Sequence, residues 1–150
     1  MDSPIPAPPP ELFGLGLRLR YVETLPGDAR RGFVPSLRFH ILASPDVVSG
    51  RLHLRIGDTP HVRWYAGHVG YEVYEEYRGH CLALRACRAL APFARMVAAS
   101  HVITCDPDNA PSVRTIERLD VLFLGEVEVP PEDPQYATGS RCKRRYRWLP

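Results

Sequence analysis

The sequence predicts one domain of the mixed α/β (α+β) class. Apolar and polar residues alternate with period two in several stretches, apolar residues recur at helical spacing in two others, and a strand–helix–strand unit lies mid-chain. A chain of 150 residues is long enough for one core and too short to expect two.

Residues 1–10 hold five prolines and little that packs, so they read as a flexible, Pro-rich leader to a domain over 11–150. "GLGLRLRYVE" (Gly14 to Glu23) alternates as a half-buried strand does, and "TLPGDARRGF" follows as a loop. "VPSLRFHILA" places Leu37, Phe39 and Ile41 on one side and Arg38 and His40 on the other. After the turn chemistry of "SPDVVSG", "RLHLRIG" turns Leu52, Leu54 and Ile56 inward and Arg51, His53 and Arg55 outward. "DTPHVRWYAG" reads as a loop or irregular connection, and "HVGYEVY" (His68 to Tyr74) as a strand.

From Leu82 the period changes. Ala83, Cys87, Leu90, Ala94 and Val97 recur at helical spacing, with Pro92 expected to kink or split the run. "HVITCD" is a short buried-type strand. A helix then starts at Asn109 or Ala110, with Pro111 suited to its first turn. "VLFLGEVEVP" is another strand and "PEDPQYATGS" an acidic loop. In "RCKRRYRWL" the residues Cys142, Arg144, Tyr146 and Trp148 alternate with Arg141, Lys143, Arg145 and Arg147, which suggests a strand with a solvated basic face.

Composition narrows the partners. The formal charge of +2 gives no reason to expect nucleic acid, although every basic residue except Lys143 is an arginine. Cys81, Cys87, Cys105 and Cys142 show neither CxxC spacing nor histidines at zinc-site intervals, so no metal is expected. "MDSPIPAPPPELF" lacks the charged and apolar regions of a secretory signal. No apolar run approaches the roughly 20 residues a bilayer requires. A cytoplasmic protein with reduced thiols and no membrane partner is the expectation.

The stretch "YEEYRGHCLALRACRAL" (Tyr74 to Leu90) carries the functional signal. A strand-to-helix loop turns several amides toward one point, and a first helical turn leaves its N–H groups without intrahelical partners. Such a corner holds a phosphate without any lysine. Arg78 can add a charge-assisted contact and Gly79 allows close approach. The plain alternative is a turn before a core helix.

"GYEVYEEYRGHCLA" together with "ITCDPDNAPSVRTIERLD" resembles the core of the GNAT superfamily of acetyl-CoA-dependent N-acetyltransferases, and most of all its ribosomal-protein branch. The family's pyrophosphate loop, [Q/R]-x-x-G-x-[G/A], falls on Arg78, Gly79, His80, Cys81, Leu82 and Ala83. Its Asn with a Ser three residues on falls on Asn109 and Ser112. The resemblance implies a mostly antiparallel central sheet with a splayed strand pair and flanking helices. It further implies that acetyl-CoA is the cosubstrate, with pantetheine pairing along Tyr71 to Val73 and pyrophosphate at Arg78 to Ala83. A primary amine, on a small molecule (slightly favoured) or at a protein N-terminus, would attack the thioester directly. A homodimer is a further expectation of the family.

Three positions depart from the pattern. Cys81 replaces a Gly, and is tolerable there if its φ is negative. Ile116 stands where many members place a Tyr that protonates the leaving thiol, and Asp120 replaces a Gly that ends the helix. Ser112, or water held by Asn109, is then left to stabilise the thiolate. Glu72 is the candidate base, against the reading of a carboxylate that merely pairs with an arginine. His68 has a suitable intrinsic pKa, but a plain surface or satisfied histidine is the favoured reading. His80 is present for its amide. Phe39, His40, Gln135 and Tyr136 are candidates for the acceptor side, or else for core and loop. The departures at Cys81 and Ile116 also allow a catalytically silent acyl-CoA-binding module.

Overall fold

The computed structural model describes residues 5–150, so residues 1–4 of the expected leader lie outside the described residues. Five strands form an antiparallel meander in sequence order: β1 (Glu11–Gly14), β2 (Leu17–Leu25), β3 (Ser36–Ser44), β4 (Val47–Arg55) and β5 (Val69–Val73). Helix α1 (Leu82–Val97) follows. A second sheet, in the order β6-β8-β7, holds β6 (His101–Cys105), β7 (Val121–Glu128) and β8 (Cys142–Trp148). Helix α2 (Ala110–Glu117) links β6 to β7, and the single turn α3 (Pro134–Ala137) lies between β7 and β8.

The alternation read from sequence sets the packing. Leu19, Leu37, Phe39, Ile41, Leu52 and Leu54 are fully buried and meet Leu84, Ala86, Cys87 and Leu90 of α1 in one core. Phe39 is therefore a core residue and not part of an acceptor site. Its register partner Leu52 pairs in turn with Tyr71, so all three point to the α1 side.

Four local readings are corrected. The first strand does not run through Gly14: Leu15 and Gly16, at φ 50° and 72°, turn the chain, so "ELFG" becomes the added edge strand β1. The strand expected from Arg51 starts at Val47, after a tight turn in which Asp46 has φ 62°. Helix α1 is continuous through Pro92. Pro92 and Arg88 are both exposed, so the Arg88 carbonyl that loses its donor lies on the solvent side. The basic face of β8 is solvated only at its two ends, Arg141 and Arg147: Lys143 and Arg145 between them are both only 8% exposed. Lys143 pairs with Asp106 at 2.8 Å, and the Arg145 guanidinium lies over Trp64 at 4.0 Å.

Trp64 belongs to the segment read as irregular, which forms a wide helical turn over His61–Ala66. Gly67 N–H closes that turn on the Val62 carbonyl at 2.7 Å. The turn is fastened to the acidic loop by His61 Nδ1 and Asp133 Oδ2, 2.8 Å apart and both buried. Asp133 thus sits inside the protein although it lies in a segment read as solvated.

Candidate active site

The two sheets touch where β5 and β6 begin. His68 N–H donates to the Val102 carbonyl at 2.6 Å, and Val102 N–H donates to His68 Nδ1 at 2.9 Å. His68 Nε2 donates to the Gly57 carbonyl at 2.9 Å. Both ring nitrogens are used, and burial holds the ring below its ordinary pKa. His68 is the satisfied histidine, a clasp between sheets. Beyond it no strand ladder joins β5 to β6: β5 pairs only with β4, and β6 only with β8. Their facing edges are the splayed pair.

The loop from β5 to α1 stands at the far end of that gap. Among the described residues, no amide from Gly79 to Leu84 donates to a backbone carbonyl outside the helix, and the first bond of the helix runs from Arg85 N–H to the Cys81 carbonyl at 3.0 Å. That leaves a run of donors at a helix N-terminus. Gly79 has φ 92°, and a Cβ placed there would meet nothing within 4 Å. His80 is exposed. The Arg78 guanidinium folds back, donating through Nε to the Val73 carbonyl at 3.1 Å.

Cys81 contradicts the condition set for it. Its φ and ψ are 55° and 33°, left-handed, so the backbone keeps the conformation a glycine would favour. The side chain is exposed, with Arg118 NH1 at 3.5 Å from the sulfur. Leu82 is buried and Ala83 half-buried at the start of α1.

Across the gap, Asn109 caps α2 by accepting the Ser112 N–H at 3.3 Å. Pro111 lies in the first turn, as its missing N–H allows. Ile116 is fully buried, so its position serves the core. Asp120 is absent from the positive-φ residues, so no glycine is needed after α2. The Ser112 hydroxyl shares a 2.7 Å hydrogen bond with the Tyr71 hydroxyl, a link from α2 to β5 that periodicity does not reveal. Burial raises the Tyr71 phenol above its ordinary range, so it stays protonated. Cys105, at the end of β6, is also raised by burial, and Ser112 neighbours its thiol.

Glu72 points to the opposite face, where Arg51 NH2 meets its Oε2 at 2.8 Å; both side chains are close to half exposed. His40 lies in register with Arg51 on that face. Gln135 and Tyr136 are half-buried in α3, and the Arg141 guanidinium stacks 3.5 Å above the Tyr136 ring. No group of three metal-ligating side chains occurs among the described residues.

No family model matches the chain, and no curated protein does. Solved structures do. RimL, a ribosomal L7/L12 alpha-N-protein acetyltransferase, superposes with a TM-score of 0.64 at 16% identity over 93% of this chain and 94% of its own. The fold is that of the GNAT acetyltransferases. A GNAT-family acetyltransferase from Bacillus anthracis gives 0.55 at 20% identity over 75% and 65% of the two chains. The microcin C7 self-immunity acetyltransferase MccE, solved with acetyl-CoA and AMP, gives 0.57 at 18% identity over 77% of this chain. Only 61% of the MccE chain is matched, so this chain spans about three fifths of its length. In the GNAT fold seen here, α1 covers one face of the five-stranded sheet and Arg51 and Glu72 are exposed on the other.

Proposed function

We propose that this chain is an acetyl-CoA-dependent N-acetyltransferase acting on a primary amine. The observation that carries the reading is the run of unpartnered amides from Gly79 to Leu84 at the end of a gap between two unpaired strand edges. Those donors and the left-handed backbone at Gly79 and Cys81 suit a diphosphate. The open edges of β5 near Tyr71 and Val73 suit the amide groups of pantetheine. Acetyl-CoA supplies the activated thioester, and the protein contributes position and two proton movements.

Ser112 and Tyr71 act together on the leaving-group side. The Ser112 hydroxyl donates a hydrogen bond to the developing thiolate, and Tyr71, protonated across the working pH range, donates one to Ser112 and strengthens it; the thiolate takes its proton from water and neither hydroxyl loses its own. This pair takes the place of the phenol that Ile116 cannot provide. Glu72, on the other face, receives the amine proton directly or through water, with Arg51 holding the carboxylate in place. The uncovered acceptor face, where Arg51 and Glu72 remain about half exposed, favours an amine presented on a peptide N-terminus over one enclosed in a tunnel.

Thiol release measured across a panel of small amines and peptide N-termini tests the assignment. Turnover on at least one class is expected. Saturable acetyl-CoA binding with no turnover on any would reassign the chain as a silent acyl-CoA-binding module, and absence of binding would end the reading. Ser112→Ala and Tyr71→Phe should each lower kcat more than about tenfold, roughly 1.4 kcal/mol, with KM for acetyl-CoA little changed. The double variant should lose little more than either single one, because the two hydroxyls act as one hydrogen-bonded unit.

A further inference from the structure

A second concavity lies at the opposite end of the molecule. It gathers the end of β4, the clasp before β5, the start of β6, the end of α1 and one face of β8. The Arg78–Ala83 loop is at the start of α1, so the 16 residues of that helix separate the two places, about 24 Å at 1.5 Å per residue. The cavity has a volume of about 480 Å³, and its lining includes Arg55, Arg63, Arg145 and Arg147 with His68 and His101. A single carboxylate, Asp58, faces these four guanidinium groups.

That carboxylate is already committed. Asp58 Oδ1 accepts from Arg63 Nε at 3.0 Å, and its second oxygen accepts from NH2. Arg55 is held only by backbone, donating to the carbonyls of Ala66 and Gly67 at 3.3 and 3.0 Å. Arg145 donates to the Arg63 carbonyl at 3.1 and 2.9 Å. Arg147 has no ion pair or side-chain hydrogen bond among the described residues and is exposed. Burial keeps both histidines below their ordinary pKa, so they add no charge near neutrality. Three positive charges therefore remain uncompensated in a recess, where low-dielectric walls focus their field. Ile56, Val97, Val102 and Leu124 supply an apolar wall.

We infer that this cavity binds a small phosphate monoester, at a site separate from the coenzyme loop. A monocarboxylate would neutralise one charge of the three. A phosphate monoester carries about −1.5 to −2 at pH 7, and its oxygens match the planar guanidinium fork. The volume falls in the range of small-molecule sites, about 300–1,000 Å³, and the apolar wall accepts the organic part.

Titration calorimetry with phenyl phosphate, inorganic phosphate and benzoate tests the inference. Phenyl phosphate should bind, with inorganic phosphate weaker and benzoate at least about tenfold weaker. Arg147→Ala, at an exposed side chain without partners, should leave the fold intact and weaken phenyl phosphate at least about tenfold. Arg55→Met, checked for native circular dichroism, should do the same. Gly79→Val, in the coenzyme loop, should leave phenyl phosphate binding unchanged. The inference is overturned if no phosphate compound binds, if benzoate binds equally well, or if binding survives Arg147→Ala but is lost with Gly79→Val. None of these readings depends on acetyl transfer, so failure here and failure of the enzyme assignment are distinguishable.

Discussion

In its left-handed conformation, the Cβ of Cys81 crowds the following carbonyl, at a cost of about 1–2 kcal/mol. Glycine removes that cost but adds about 0.5–1 kcal/mol of chain entropy in the unfolded state. The difference favours glycine, so Cys81→Gly should raise stability by about 0.5–1 kcal/mol in a urea titration. A destabilised variant would mean that the contact between Arg118 and the sulfur outweighs the strain. The loop itself was legible in sequence because Arg78, Gly79 and the helix start occur at fixed offsets. The sign of φ at Cys81 was not, because the residue that signals a left-handed backbone is the one that has been replaced. The Tyr71–Ser112 bond was hidden for a different reason. It joins positions far apart in the chain, and only the register that aligns Tyr71 with Leu52 on the α1 side brings the two hydroxyls together.

At the level of elements, period-two alternation located the long strands and the burial of Phe39, Leu52 and Leu54. It failed at the β1–β2 corner. Gly16 marks that turn, but Leu15 takes the other left-handed position and the spacing of Leu15, Leu17 and Leu19 carries the alternation across it. It also located faces without saying what covers them, which is why Lys143 and Arg145 are buried beneath the wide turn and its neighbours. The pairing of β4 with β5 has its own requirement. Gly70 lies opposite His53, and a Cβ at Gly70 would overlap the His53 ring. Gly50 meets the Glu72 carbonyl in the same way. Either Gly→Ala change should cost about 1–3 kcal/mol through overpacking. Combining Gly70→Ala with His53→Ala should recover part of that loss in thermal melts; no recovery would place the strain in the backbone.

For the whole molecule, the histidines set the response to acid. His53 is pushed down to about 3, first by burial and then by Arg55, Arg51 and Arg38. Burial also lowers His68 and His101. The unfolded chain takes up protons near pH 6.5 while these folded rings resist, so their stabilisation is complete above that pH and declines as pH falls toward 3. Each adds a slope of up to about 1.4 kcal/mol per pH unit. The urea midpoint should therefore drop between pH 7 and 4.5, before most carboxylates titrate, and a flat profile would mean that the rings are solvated.

The clasp at His68 holds two sheets together at one end only. On either side of the seam, the outward N–H groups of β5 and β6 have no neighbouring strand to pair with. Amide hydrogen exchange should find these edges fast in a protein whose meander is slow. A ligand that lies between them as a surrogate strand should slow exchange on both edges at once, a footprint that reads its path through the protein without reference to turnover.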